Sequence, residues 1–202
     1  MRREDDMTFR PPRTIALLAV AAVTLGLVQT QTPATAAAAQ SSVTAPGWLQ
    51  VHGNALVGAN GAPVQLTGVG RSGTEYACAG GWGFSDGPVD DASVSAMTGW
   101  GINAVRVPLN EDCWLGISGA PATWSGSTYR AAVVNEVSTL LAHGMAVVLD
   151  LHFTAPGAYL ARSQAPMPDA DHSPAFWAGV ASTFKATPGI AYELFNEPHD
   201  VS

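Results

Sequence analysis

From residue 48 onward, short continuous apolar runs alternate with stripes of helical period. Ile102 to Pro108, Ala146 to Leu151 and Ile190 to Phe195 are runs of mainly β-branched, aromatic and other apolar residues, as expected of strands covered on both faces in a parallel sheet. Val94, Met97 and Trp100 fall on one face of a short helix that Asp90 or Asp91 can cap. Val133, Val137, Leu140 and Leu141 stripe a second helix from about Tyr129 to His143. Ser127 or Thr128 can cap its start, and Gly144 stands where a left-handed C-cap belongs. Phe176, Trp177, Val180 and Phe184 stripe a third helix after Ser173-Pro174, a cap followed by proline at the first helical position. Upstream, Leu49–Val57 and Pro63–Val69 flank Gly58-Ala59-Asn60-Gly61, which predicts a hairpin turning at Asn60-Gly61.

This alternation predicts an α/β fold with a parallel sheet, either doubly wound or half of an eight-stranded barrel. Polar residues stand at or just past each strand's carboxyl end: Arg71 and Glu75, Arg106 and Asn110, His152, then Asn196 and Glu197. Four strands delivering such residues to one rim favours the barrel, whose active sites lie there. Pro198 cannot donate to a ladder, so the last strand is expected to stop with Glu197 at its end. In a regular strand Asn196 and Glu197 point to opposite faces. Both reach one pocket only if a bulge or twist intervenes, and one is expected.

The ends and the composition narrow the function. Arg2, Arg3, Arg10 and Arg13 precede an apolar run from Ile15 to Val28 and a small-x-small site at Ala34-Thr35-Ala36. Residues 1–36 therefore read as a signal peptide and 37–47 as a flexible segment, with no stable membrane association once the leader is removed. The chain carries 9 Lys and Arg against 16 Asp and Glu, a net charge of −7, which argues against nucleic acid as a partner. Cys78 and Cys113 are the 2 cysteines of an exported chain and fall in loops after neighbouring strands, so they are expected to pair. The five histidines show no H-E-x-x-H spacing, and neither metal nor cofactor is expected. Gly68-Val69-Gly70-Arg71-Ser72-Gly73 matches the dinucleotide pattern G-x-G-x-x-G, but glycine-rich sequence without helical period follows. An NAD-dependent oxidoreductase is the weaker alternative, since its phosphate site needs a helix opening at once.

Four segments together resemble glycoside hydrolase family 5, the secreted cellulases and related β-glycanases. They are Gly61 to Val69, Gly101 to Pro108, Leu149-Asp150-Leu151-His152, and Tyr192 to Pro198. The resemblance implies the first four βα units of a TIM (β/α)8 barrel with an N-terminal β-hairpin. Residues 48–202 would form a partial catalytic domain ending after strand 4. It also implies a secreted, retaining β-glycosidase acting on β-glucan or cellulose-type carbohydrate. Such an enzyme uses two carboxyl groups about 5–5.5 Å apart. By resemblance Glu197 is the acid/base, and its task requires a raised pKa. Asn196 contacts the sugar 2-hydroxyl, Arg106 holds the nucleophile ionised, and His152 lines the sugar-binding floor. Arg106 also reads as a core arginine paired with Glu193. The family nucleophile lies on a seventh strand and has no match here, so this chain alone is expected to be inactive. Trp82 and Trp114, and also Trp124, lie in loops suited to stacking on sugar, whereas Trp100 and Trp177 read as core. A carbohydrate-binding protein without catalysis is the alternative from another class.

Overall fold

The computed structural model describes residues 49–200. Residues 1–36, read above as a leader, the 37–47 segment and Trp48 lie outside them. The described chain opens with two short antiparallel strands, β1 (Gln50–His52) and β2 (Ala55–Val57), turning at Gly53-Asn54 with Gly53 at φ 61°. The predicted first arm, Leu49–Val57, thus folds back on itself. The Asn60-Gly61 turn forms as well, but only one bridge, Val57 to Pro63, flanks it.

A four-stranded parallel sheet follows in sequence order: β3 (Gly68–Gly70), β4 (Ala104–Asn110), β5 (Ala146–Phe153) and β6 (Ile190–Glu193). Three helices cross between strands: α2 (Asp91–Gly99), α4 (Ser127–Ala142) and α5 (Ser173–Phe184). Two short ones, α1 (Ala77–Gly80) and α3 (Glu111–Leu115), follow β3 and β4. The pleat sorts the strands into two faces. Val105, Val107, Leu109, Val147, Leu149 and Leu151 are buried in one core with residues of all three crossing helices. Arg106, Asp150 and His152 alternate with them and hydrogen-bond one another on the opposite face. A doubly wound sheet carries helices on both faces; confining them to one is the geometry of a barrel.

Local signals held unevenly. Asp90 caps α2 by accepting from Ser93 N at 2.9 Å. Val94 and Met97 are buried, but Trp100 is 79% exposed because it falls beyond the last turn, so it is not core. Neither Ser127 nor Thr128 caps α4: its N-cap is Gly126, and Thr128 Oγ1 donates back to Ser125 O. Gly144 takes the left-handed conformation expected of it, φ 75°. Ser173 lies inside α5, and its hydroxyl is drawn to Glu111 instead. β6 is not covered on both faces. Within the described residues it pairs only with β5, and Tyr192 and Leu194 are exposed, Tyr192 lying edge-on to Trp177.

The Cys78–Cys113 disulfide is present, with Cα atoms 6.1 Å apart, and ties α1 to α3. Closing a loop of 35 residues contributes roughly 3–4 kcal/mol in the chain-entropy model. After the glycine motif the chain makes turns and then the four-residue α1, so no helix opens at Gly73 to hold a pyrophosphate. Gly73 instead lets two loop segments touch: a Cβ there would stand 2.0 Å from Asp86 N. Among the described residues no helix is long and apolar enough to cross a membrane.

Candidate active site

Strand register sets Asp150 beside Glu193, and Arg106, two residues before Pro108, the β4 partner of Asp150, lies on the same face and reaches both. Arg106 grips Glu193 with both arms of its fork, Nε to Oε2 at 2.6 Å and Nη2 to Oε1 at 2.9 Å. Nη2 also lies 2.8 Å from Asp150 Oδ2 and donates to Asn196 Oδ1 at 2.8 Å. The reading of Arg106 as paired with Glu193 therefore holds. The Glu193 hydrogen bonds, opposed by burial and reinforced by Asp150, Glu193 and Glu197, raise the arginine's already high pKa. Its positive charge is permanent. Asp150 is fully buried, and burial pushes its carboxyl up against the pull of His152 and Arg106. His152 Nδ1 lies 2.6 Å from Asp150 Oδ2, which sets the ring's orientation at the end of β5.

The expected irregularity at the last strand is visible in the ladder. With Asp150 opposite Glu193, a regular parallel ladder would offer Leu151 O the amide of residue 195. Asn196 N makes that bond instead, at 3.0 Å. One extra residue turns Asn196 to the side of Glu193. Glu197 then adopts φ 42°, a left-handed conformation that costs a non-glycine residue roughly 1 kcal/mol, and does so before a proline that favours extended backbone. Its side chain is exposed at the rim.

Gln164 is a member of this site that sequence reasoning missed. It comes from the helix-free loop 154–172 and donates from Nε2 to the carbonyls of Asn196 (2.5 Å) and Glu197 (3.1 Å). Asn196 Nδ2 donates in return to Gln164 Oε1. No spacing along the chain signals a partner 32 residues away.

Other rim residues have different duties. Trp114 is 1% exposed, edge-on to Phe176, because it lies on α3, whose turn points it inward; it is a core residue and cannot stack on sugar. Trp124 is partly buried against the core and donates to Gly81 O. Trp82 is 53% exposed and, with Tyr76 and Arg162, lines an open cleft of about 240 Å³. Asn110 is fully buried, bonding Glu75 O, Ala161 O and Cys113 N. Glu75 is held by Gly73 N, and burial raises its pKa.

Away from this site, two groups that share His172, Glu111 with Asp112 and Asp169 with Asp171, each have donor atoms close enough to hold a metal ion. Burial first, and then the Asp169 carboxyl, push Glu111 up to about 9. Sequence spacing did not reveal the first group, because α3 and loop 154–172 are distant in the chain.

The family model Cellulase (glycosyl hydrolase family 5) matches residues 57–202. Endoglucanase MaCel5A of Microbulbifer sp. (strain ALW1) is 27% identical over 162 residues, 80% of this chain and 28% of that protein. Endoglucanase E-5 of Thermobifida fusca is 27% identical over 157 residues, covering 77% and 29%. The chain thus spans under a third of the length of these two relatives. Among solved structures, an endocellulase of Pyrococcus horikoshii in complex with cellotetraose superposes with a TM-score of 0.57 at 21% identity, covering 79% of this chain and 46% of that one. The catalytic domain of the major endoglucanase of Xanthomonas campestris pv. campestris gives 0.56 at 24%, covering 77% and 47%. These likenesses establish the fold: the four βα units are part of a (β/α)8 barrel.

Proposed function

The chain belongs to the cellulase family, glycosyl hydrolase family 5, and on that premise we propose that it carries the acid/base half of a retaining β-glucanase site. Glu197 is the acid/base. It protonates the glycosidic oxygen as a second carboxylate attacks the anomeric carbon and the bond to the leaving sugar breaks. It then takes a proton from the water that releases the glycosyl-enzyme ester. That second carboxylate is not among the residues assigned here, and on this reading residues 1–202 alone do not turn over.

The observation that carries the proposal is the backbone at Glu197. An extra residue and a left-handed φ, beside a network that immobilises Asn196, are strain of the kind found where a side chain must be aimed. Asn196 Oδ1 is held by Arg106, and one hydrogen of Nδ2 is held by Gln164, leaving the other for a sugar 2-hydroxyl. Arg106 supplies fixed positive charge next to Glu193 and Asp150, so the floor tolerates further carboxylates. His152 presents its Nε2 side while Asp150 holds Nδ1. Trp82 offers an apolar face to a pyranose ring. The leader reading and the disulfide support export, with 48–202 as the catalytic segment.

Release of reducing ends from soluble cellulose or cellotetraose by the full-length polypeptide containing these residues tests the reading. Retention on β-glucan with no new reducing ends would favour a binding protein instead.

A further inference from the structure

Among the described residues, the buried polar atoms without a hydrogen-bond partner include Glu111 Oε1, Asp112 Oδ1, Asp169 Oδ2 and His172 Nδ1. They fall in two groups that share His172. Donor atoms of Glu111, Asp112 and His172 all lie within 4.8 Å of one another, as do those of Asp169, Asp171 and His172. Glu111 and Asp112 are fully buried, on the first turn of α3. Each carboxyl uses its other oxygen to fix its position. Ser173 Oγ donates to Glu111 Oε2 at 2.5 Å, Ala161 N to Asp112 Oδ2 at 2.7 Å, and His172 N to Asp169 Oδ1 at 2.7 Å. His172 Nδ1 lies 3.9 Å from Glu111 Oε1, and among the described residues no lysine or arginine pairs with either group.

Oriented carboxylates with one oxygen held and the other turned inward are how proteins prepare ligands for a cation. Two donors on opposite sides of an ion with bonds of about 2.1–2.4 Å stand about 4.2–4.8 Å apart, so one ion can join the atoms found here. An imidazole nitrogen among carboxylate oxygens suits a first-row transition ion better than Ca²⁺, which takes oxygen ligands. We propose that Glu111, Asp112 and His172 bind one divalent transition-metal cation of the Zn²⁺ or Mn²⁺ type. The site is structural. It joins α3, next to the disulfide, to loop 154–172, the loop that carries Gln164 to Asn196.

The test is equilibrium dialysis of the chelator-stripped full-length polypeptide against Zn²⁺, Mn²⁺ or Ca²⁺, with metal analysis and thermal unfolding. The expected result is one equivalent of Zn²⁺ or Mn²⁺ and a raised Tm, with affinity lowered at least tenfold in Asp112→Asn and in His172→Gln. Should Asp112→Asn fail to fold, His172→Gln at its half-buried position still decides. No stoichiometric uptake, or uptake unchanged in His172→Gln, overturns the proposal. Uptake of Ca²⁺ alone overturns the assignment of ion type.

Discussion

Glu193 and Asn196 lie three residues apart, yet both accept hydrogen bonds from the same nitrogen, Nη2 of Arg106, at 2.9 and 2.8 Å. Residues three apart on a regular strand face opposite sides of the sheet. The extra residue before Asn196 reverses that, and Arg106 then fastens the strand end to the middle of β4. Asp150, fully buried, shares the same cation. Arg106→Met should therefore destabilise the protein by about 3 kcal/mol, chiefly by leaving a buried carboxylate with only His152. Adding Asp150→Asn should recover part of the loss. Urea unfolding measures both, and a single variant within about 0.5 kcal/mol of the parent would show that the network contributes little.

Gly73 has φ 122°, and a side chain there meets Asp86 backbone at once. Gly73→Ala should cost at least about 2 kcal/mol, more than Gly→Ala at open Gly61, whose φ is also positive but whose surroundings are empty. Equal losses at the two sites would mean backbone conformation alone is at work, without the close approach.

Glu136 on α4 is 3% exposed, and burial, opposed by Arg71 and reinforced by Glu75, raises its pKa from 4.5 to about 7. A carboxyl that holds its proton more tightly folded than unfolded makes stability fall as pH rises from 4.5 to about 7, and level off above. The loss across that window is about 3 kcal/mol. Glu136→Gln should remove this share and raise Tm at pH 8 more than at pH 4.5. Parallel pH profiles for parent and variant would contradict the assignment.

Strand order, most of the helical stripes and the strand-end positions of His152, Asn196 and Glu197 were legible because each depends on local period or on polar residues at strand ends. Arg106, expected at a strand end, lies inside β4 because that strand runs on to Asn110. The disulfide was legible as well, since both cysteines follow neighbouring strands. Trp114 was misread because a one-turn helix after β4 leaves no periodicity, and a loop tryptophan looks the same as one folded inward. Trp100 was misread because the stripe does not show where the last turn ends. Gln164 and the Glu111–His172 cluster depend on contacts between segments far apart in sequence, where period and spacing carry no information. The offset at Asn196 could be required in advance, since two adjacent residues had to reach one pocket, but only the ladder locates it.

The central claim is that Glu197 is the acid/base, and the most direct measurement is chemical rescue of Glu197→Gln in the full-length polypeptide. Cleavage of β-glucan, whose leaving group needs a proton, should fall by at least about a thousandfold, within the range attributed to acid–base catalysis and its coupled groups. Glycosylation by a dinitrophenyl β-cellobioside, whose leaving group needs none, should survive. Added azide should restore turnover and give a β-glycosyl azide. Unchanged activity on β-glucan, or loss on both substrates with no azide product, would contradict the account.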